Sequence, residues 1–300
     1  MAEAHSFKYL PPHVADPLRG LALSTRRPMQ GATQGLHRSP DFGASVEFAE
    51  YRDYVPGDAP NLIDWAVYAK TDRHMIRRFQ DETSLRALVL VDASTSLRFR
   101  HAGPCTKFDY ACSLAAAFLY LLVCQGDSAA LSFFTDRITR AFDPVAGVDT
   151  LGPLLREMET TVPDGAGHIE KALHEAAERL RSRHLVLILS DFLQAPDEIA
   201  RGIQHLQHSR HEVVVFHLLD GAEVALPLQG LVELRDLETK EKLLIDAGEL
   251  KDAYGRAVQG HIDELRRLCT GCGADYFTLD TRTPVLDAVA KRAKGMSKSG

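Results

Sequence analysis

Short apolar runs that recur between helical stretches most constrain what this chain can become. "ALVLVD" (Ala87–Asp92), "AALSFF" (Ala129–Phe134), "HLVLILSDF" (His184–Phe192), "EVVVFHLL" (Glu212–Leu219) and "ADYFTL" (Ala274–Leu279) are nearly unbroken by polar residues. Strands that read this way are covered on both faces. Between them the pattern predicts helices over Lys107–Cys124, Asp149–Glu159, His168–Arg183, Pro196–Gln207 and about Ala247–Cys269, with a last one from Pro284. "DRITRAF" (Asp136–Phe142) can pair beside the second run. Strands alternating with helices imply an α/β fold: a doubly wound, mostly parallel sheet with helices on both faces and right-handed crossovers. In such sheets ligands bind outside the carboxyl ends of the strands. Two of those ends carry an acid, Asp92 and Asp191.

Two stretches break the alternation. "VELRDL" and "KLLID" flank "ETKE" and read as a hairpin inserted at about 230–246. Residues 1–84 are polar, rich in Arg, Asp, Pro and Gly, and only weakly periodic. They carry too many aromatics for low-complexity disorder. They are expected to form an irregular segment, with short strands near Met75–Phe79, packed on an α/β domain of residues 85–295. Residues 296–300 are expected to be a flexible tail.

The length of 300 residues is ample for a core, and a net charge of −6 gives no ground for binding nucleic acid or anionic lipid. The most apolar stretch, Tyr110–Cys124, falls short of a membrane span, and the first residues lack the pattern of a secretory signal. Five cysteines, an odd number, do not look like a disulfide framework. The expectation is a cytoplasmic protein with no direct membrane insertion, membrane-associated only through partners.

The first of the two acids opens "DASTS". Asp92, Ser94 and Ser96 stand at alternate positions after a strand, so their oxygens can converge on one point. A carboxylate and two hydroxyls are hard oxygen ligands that suit Mg²⁺. Asp191 can join them directly or through water. The competing reading is an Asx/Ser turn that caps the next segment. An acid at the end of a second parallel strand tips the balance toward a site.

"DASTS", "LAAAFLYLLVCQGDSAALSFF" and "LVLILSDF" together resemble a von Willebrand factor A domain. "EFAEYRDYVPGDAPNLIDWAVYAKTDRHMIRRFQDE" resembles the signature of the DUF58 family, whose members carry this element just before an A-type domain. The likeness spans about residues 35–295. It implies a protein-binding module rather than an enzyme, acting with a MoxR-type AAA+ ATPase in chaperone-like maturation or assembly of a client protein. It also implies a metal-ion-dependent adhesion site (MIDAS) built from Asp92, Ser94, Ser96 and Asp191, with Mg²⁺ as its ion. The Thr ligand of that site falls on Gly167 here, which has no side-chain oxygen; Thr161 and Asp164 are near but do not match the motif. Hence a second expectation: a scaffold whose metal site is vestigial. In the preceding segment Tyr54 and Trp65 offer rigid apolar anchors, and Arg52, Asp58 and Asp64 directed polar contacts, for a partner. The alternative is that these residues serve the segment's own packing. Pro56-Gly57-Asp58 reads as a tight turn.

Other motifs weigh less. "CTGC" (Cys269, Cys272) has redox-pair spacing but no second pair, and reads as thiols at a helix end. His205, His208 and His211 lack nearby carboxylates or thiols and read as a solvated helix end. "HEAAE" (His174–Glu178) fails the zinc motif at its last position. There is no P-loop, dinucleotide fingerprint or nucleophile elbow, so the ATP-using activity that the resemblance implies must come from a partner. An aspartyl-phosphate hydrolase using Asp92 would want an acid where Ser94 stands.

Overall fold

The computed structural model describes residues 7–25, 37–43, 47–55, 58, 63–83 and 85–295, with backbone alone at 37–43, 47–52, 77–83 and 294–295. The chain divides into two compact units, Arg26–Leu85 and a larger one made of Met1–Thr25 with Arg86–Gly300.

In chain order the elements are α1 (Pro12–Leu18), β1 (His37–Gly43), β2 (Glu47–Asp53), α2 (Trp65–Thr71), β3 (Met75–Thr83), β4 (Arg86–Asp92), α3 (Lys107–Cys124), β5 (Ser128–Phe134), β6 (Ile138–Ala141), α4 (Gly152–Thr160), α5 (Ile169–Arg179), β7 (Leu185–Ser190), α6 (Pro196–His208), β8 (Glu212–Leu219), α7 (Gly221–Ala225), β9 (Leu231–Arg235), β10 (Lys242–Asp246), α8 (Ala247–Gly271), β11 (Asp275–Asp280) and α9 (Val285–Gly295).

The larger unit is built on a six-stranded sheet of order β11-β8-β7-β4-β5-β6. All pairs are parallel except β5–β6 at the edge. Strand side chains alternate between two helical layers. Leu88, Leu90, Val186, Ile188, Val213 and Val215 pack with Ile169 and Leu173 of α5, Ile203 and Leu206 of α6, and Leu265 of α8. The other layer is α3, which packs with α1 and α9 and lies against β4 and β5. This is the doubly wound, mostly parallel α/β fold that the apolar runs imply.

Helix α3 is longer than its apolar run. Beginning at Lys107 it reaches 18 residues with a mean hydropathy of 1.5, long and apolar enough to cross a membrane by length and composition, but 83% of it is buried inside the fold. It is apolar all round because it is a central core helix.

The first residues join this unit, although the sequence pattern groups them with the rest of 1–84. Tyr9, Leu10, Leu18 and Leu23 are buried. The Tyr9 hydroxyl donates to Asp109 (2.8 Å), Arg19 Nε to the Tyr120 hydroxyl (2.8 Å), and Leu23 exchanges two backbone bonds with the Gln125 amide (both 3.0 Å). Few apolar residues scattered among prolines hide this docking from periodicity.

The smaller unit is more regular than expected. It is an antiparallel sheet of order β1-β3-β2 with α2 attached, and β3 is nine residues long rather than a fragment at 75–79. Its strands carry charges at both alternate sets of positions, which erases the period-2 signal. The inserted hairpin forms as β9–β10, with Val232 opposite Ile245. The tail at 296–300 and the Pro56-Gly57 turn lie outside the described residues.

Asp220, just after β8, locks the loop that leads into α3. Its carboxylate accepts from the N–H groups of His101 (3.0 Å), Ala102 (2.8 Å), Gly103 (2.9 Å) and Ala222 (2.9 Å). Burial opposes its charge, but these donors outweigh burial and hold its pKa down to about 2. A depressed carboxyl pKa contributes stability that is present above the unfolded value, about 3.9, and is lost as pH falls through the folded one. Asp220→Asn is expected to cost about 1–3 kcal/mol at neutral pH. In urea unfolding, the gap from wild type should narrow as pH drops from about 4 toward 2.

Candidate functional site

Asp92 ends β4 and Asp191 follows β7. These two strands lie side by side, with β5 on the far side of β4 and β8 on the far side of β7. The strand order therefore reverses between β4 and β7, and the crevice of a doubly wound sheet opens there.

Asp92 is only 1% exposed. One carboxylate oxygen accepts from the Ser94 N–H (2.8 Å) and the other from the Ser190 hydroxyl (2.6 Å), which itself accepts from Phe192 N–H (3.1 Å). The chain then enters a short 3₁₀ turn, Thr95–Arg98, so that the Ser94 and Ser96 hydroxyls meet at 3.0 Å. The Asp92–Ser94 bond forms an Asx turn, and the 3₁₀ turn that follows it has no side-chain cap. Thr95 fastens this loop to its neighbour, donating from N–H (2.9 Å) and hydroxyl (3.0 Å) to the Gly165 carbonyl.

Asp191 is held by a residue that sequence reasoning missed. Lys107, fully buried at the first position of α3, donates to Asp191 Oδ2 (2.8 Å) and to Glu223 Oε1 (2.5 Å). Burial opposes its charge, yet the two carboxylates outweigh burial and leave its pKa raised. Glu223 in turn closes a capping box with Asp220 at the start of α7. Burial outweighs Lys107 at Glu223 and raises its pKa. A cation at a helix N-terminus opposes the helix dipole. That mismatch in "KFDYACSLAAAF" is the one local irregularity that sets Lys107 apart. Phe192, beside Asp191, adopts a left-handed φ of 47°, rare for a bulky residue, and its carbonyl accepts from His261 Nε2 (2.8 Å).

Gly167 stands where the side-chain oxygen of the A-domain pattern is missing. A Cβ there would lie 3.5 Å from Ser94 Oγ and 2.8 Å from Gln194 Nε2, so the position does face the serines, and Gln194 fills the space. Gln194 Nε2 donates to the Gly167 carbonyl (3.1 Å). Neither neighbour substitutes. The Thr161 hydroxyl bonds back to the Glu157 carbonyl (2.8 Å), and the exposed Asp164 pairs with Arg98 (3.8 Å).

The remaining donors fit a hard divalent cation. Adjacent oxygens of an octahedral Mg²⁺ with bonds near 2.1 Å lie about 3.0 Å apart, the spacing of the two serine hydroxyls. Asp191 Oδ1 is buried with no hydrogen-bond partner. The Lys107 ammonium meets two carboxylates, the buried Asp191 and the partly buried Glu223, and Asp92 is buried at the end of the neighbouring strand. Burial, then the charge of Asp191, push the Asp92 pKa up to about 7. A divalent cation there would offset the charge of the Asp92 and Asp191 carboxylates. Among the described residues no three His, Cys, Asp or Glu side chains gather to hold a metal ion, so a cation here must draw on the serine hydroxyls. A cavity of about 300 Å³ borders Ser96 and is lined also by Lys107, Gly167, Gln194, Glu223 and Glu238 among others; Asp92, Ser94 and Asp191 are not among its lining residues.

The other sequence candidates sit elsewhere. In the smaller unit Asp64 is buried and caps α2, accepting from Ala66 N–H (3.0 Å) and Val67 N–H (3.2 Å). Asp58 Oδ2 accepts from the Val55 N–H (2.9 Å). Tyr54 is half-buried, its ring 6.4 Å from His74. Trp65 is 57% exposed and stands edge-on to Tyr68 at 6.0 Å. Arg52 pairs in register with Ile76, and its side chain lies outside the described residues. Cys269 is buried and Cys272 half-buried where α8 ends, with Gly273 at φ 84°. His205 packs against His174 (Nδ1–Nδ1 2.7 Å), and His211 is buried rather than solvated; burial lowers its pKa to about 4.

A doubly wound sheet carrying Asp-x-Ser-x-Ser after one central strand and an acid after its neighbour is a von Willebrand factor A-like domain. The chain belongs to the family described as "Protein of unknown function DUF58", whose model matches residues 50–264. An uncharacterized protein, Rv1480, of Mycobacterium tuberculosis is 31% identical over 294 residues, 95% of this chain and 91% of its own. Among solved structures the chain is similar to the conserved hypothetical protein BatB from Bacteroides thetaiotaomicron, with 13% identity, 72% of this chain and 100% of that one covered, and a TM-score of 0.49. It is also similar to the SpRpn10 VWA domain, with 10% identity, 70% and 95% covered, and a TM-score of 0.43.

The buried triad is open to a direct test. Lys107→Met leaves Asp191 buried and uncompensated and is expected to cost about 3–5 kcal/mol in urea unfolding. Adding Asp191→Asn should recover part of that loss. A cost below about 1 kcal/mol, the range of exposed pairs, would contradict the burial of the pair.

Proposed function

We propose that this chain is a protein-binding module that docks a partner at the carboxyl ends of β4 and β7 with the help of Mg²⁺. The observation that carries the reading is the convergence of two carboxylates, Asp191 and Glu223, on the single buried ammonium of Lys107, together with the unpartnered Asp191 Oδ1. Ser94 and Ser96 would ligate the ion directly, Asp92 would anchor its shell and Asp191 would act through water. The bound ion supplies an electropositive point for an acidic group of the partner. Lys107 fixes Asp191, and the Ser190 hydroxyl fixes Asp92, so neither acid needs to reorganise when the ion arrives.

Catalysis is the weaker reading. Both oxygens of Asp92 accept hydrogen bonds and the residue is buried, so its carboxylate is not presented as a nucleophile toward a phosphoester. Gly167 favours a second reading, a scaffold with a vestigial metal site, in which Ser94→Ala and Ser96→Ala leave partner capture unchanged.

The partner we infer is a MoxR-type AAA+ ATPase together with a client protein in chaperone-like maturation or assembly. This rests on the family signature around residues 46–82 and on the lack of a phosphate-binding motif in the chain. Free cysteines and the burial of α3 support a cytoplasmic module that reaches a membrane only through partners.

Calorimetric titration of Mg²⁺ or Mn²⁺ into wild type and Asp92→Ala tests the site. Heat of binding in wild type that vanishes in the variant is expected. Null heats in both would remove the cation from the reading and leave the scaffold.

A further inference from the structure

The cation reading leaves one ligand position short at Gly167, and the inserted hairpin reaches that place. The turn between β9 and β10 is rigidly made. Asp236 Oδ1 accepts from Glu238 N–H (2.7 Å) and Thr239 N–H (2.8 Å), and Lys240 takes a left-handed φ of 65° to close it. This turn holds Glu238 half-buried, with Oε2 accepting from the Gly167 N–H at 3.4 Å. Glu238 shares the walls of the same cavity with Ser96, Gly167 and Lys107. The backbone N–H of the residue that lacks an oxygen is thus bonded to a carboxylate brought from 71 residues away.

We propose that Glu238 is the chain's own acidic ligand for the cation site, supplied by the hairpin in place of the side-chain oxygen absent at Gly167. An acidic group of a partner must displace it to dock. The inference rests on the cation reading. It also gives the insertion a role: the hairpin is the movable part and the strand ends are the fixed part. Displacement is feasible because the hairpin is a two-stranded ribbon outside the main sheet. Leu231, Leu243 and Leu244 are largely exposed on it, so few apolar contacts hold it down.

Mn²⁺ is the probe, with water-proton relaxation and electron paramagnetic resonance as readouts on the full chain. Glu238→Gln keeps the size of the side chain and removes the charge. It is expected to weaken Mn²⁺ binding by about tenfold, since hard-cation affinity follows ligand charge, and to raise the number of inner-sphere waters by at least one. Glu241→Gln, the same charge change at an exposed position of the hairpin, should alter neither quantity. Equal affinity and equal hydration in wild type and Glu238→Gln would overturn the role of Glu238 while leaving the cation site standing. Equal weakening by both variants, with unchanged hydration, would reduce Glu238 to a remote charge and overturn it likewise. If wild type binds no Mn²⁺, the cation reading fails and this inference with it.

Discussion

The buried ammonium of Lys107 is the contact on which the site depends. It enters at the N-terminus of α3, where the helix dipole opposes it, and is taken fully out of water. It stays charged because Asp191 and Glu223 converge on it. Those two acids come from different places, the loop after β7 and the first turn of α7 after β8. One side chain therefore ties the central helix to two strand ends and sets the height of Asp191 in the crevice. The arrangement also holds more carboxylate than ammonium. The same packing fixes both strand ends.

The supporting shell follows from that. Ser190 holds Asp92 and is itself held by the N–H of Phe192, whose left-handed backbone turns the chain sharply after Asp191. Asp220 gathers the loop at His101–Gly103, which carries the chain from the serine turn into α3. The strand ends therefore behave as one hydrogen-bonded body. The hairpin, by contrast, stands outside the sheet and touches the site through Glu238. In the proposed reading the strand ends are the fixed part and the ribbon is the part that admits or excludes a partner.

The sheet was legible in the sequence because its strands are covered on both faces, and continuous apolar runs such as "LVLILS" have few other uses in a chain of this size. Asp92, Ser94, Ser96 and Asp191 stood out as candidates because they follow strand ends, where ligands bind in sheets of this kind; the structure brings the two serine hydroxyls together and leaves their role a proposal. The N-terminal part was not. Charges on β2 and β3 hide strand periodicity there, and the buried Tyr9, Leu18 and Leu23 are too few to show a pattern. Asp64 looked like a contact residue and is a helix cap, a local role that an acid before "WAVYA" could have shown. Lys107, Glu223 and Glu238 were invisible as site residues, because nothing in their local sequence says that three distant segments meet. Only the helix-dipole mismatch at Lys107 pointed that way.

The central claim is that a divalent cation belongs beside the Ser94 and Ser96 hydroxyls. Anomalous diffraction from crystals grown with Mn²⁺ tests it most directly. The expected result is an anomalous peak in direct contact with both serine oxygens, with Asp191 one water away. Featureless density between those hydroxyls at saturating Mn²⁺, with Lys107 still bonded to Asp191, would contradict it.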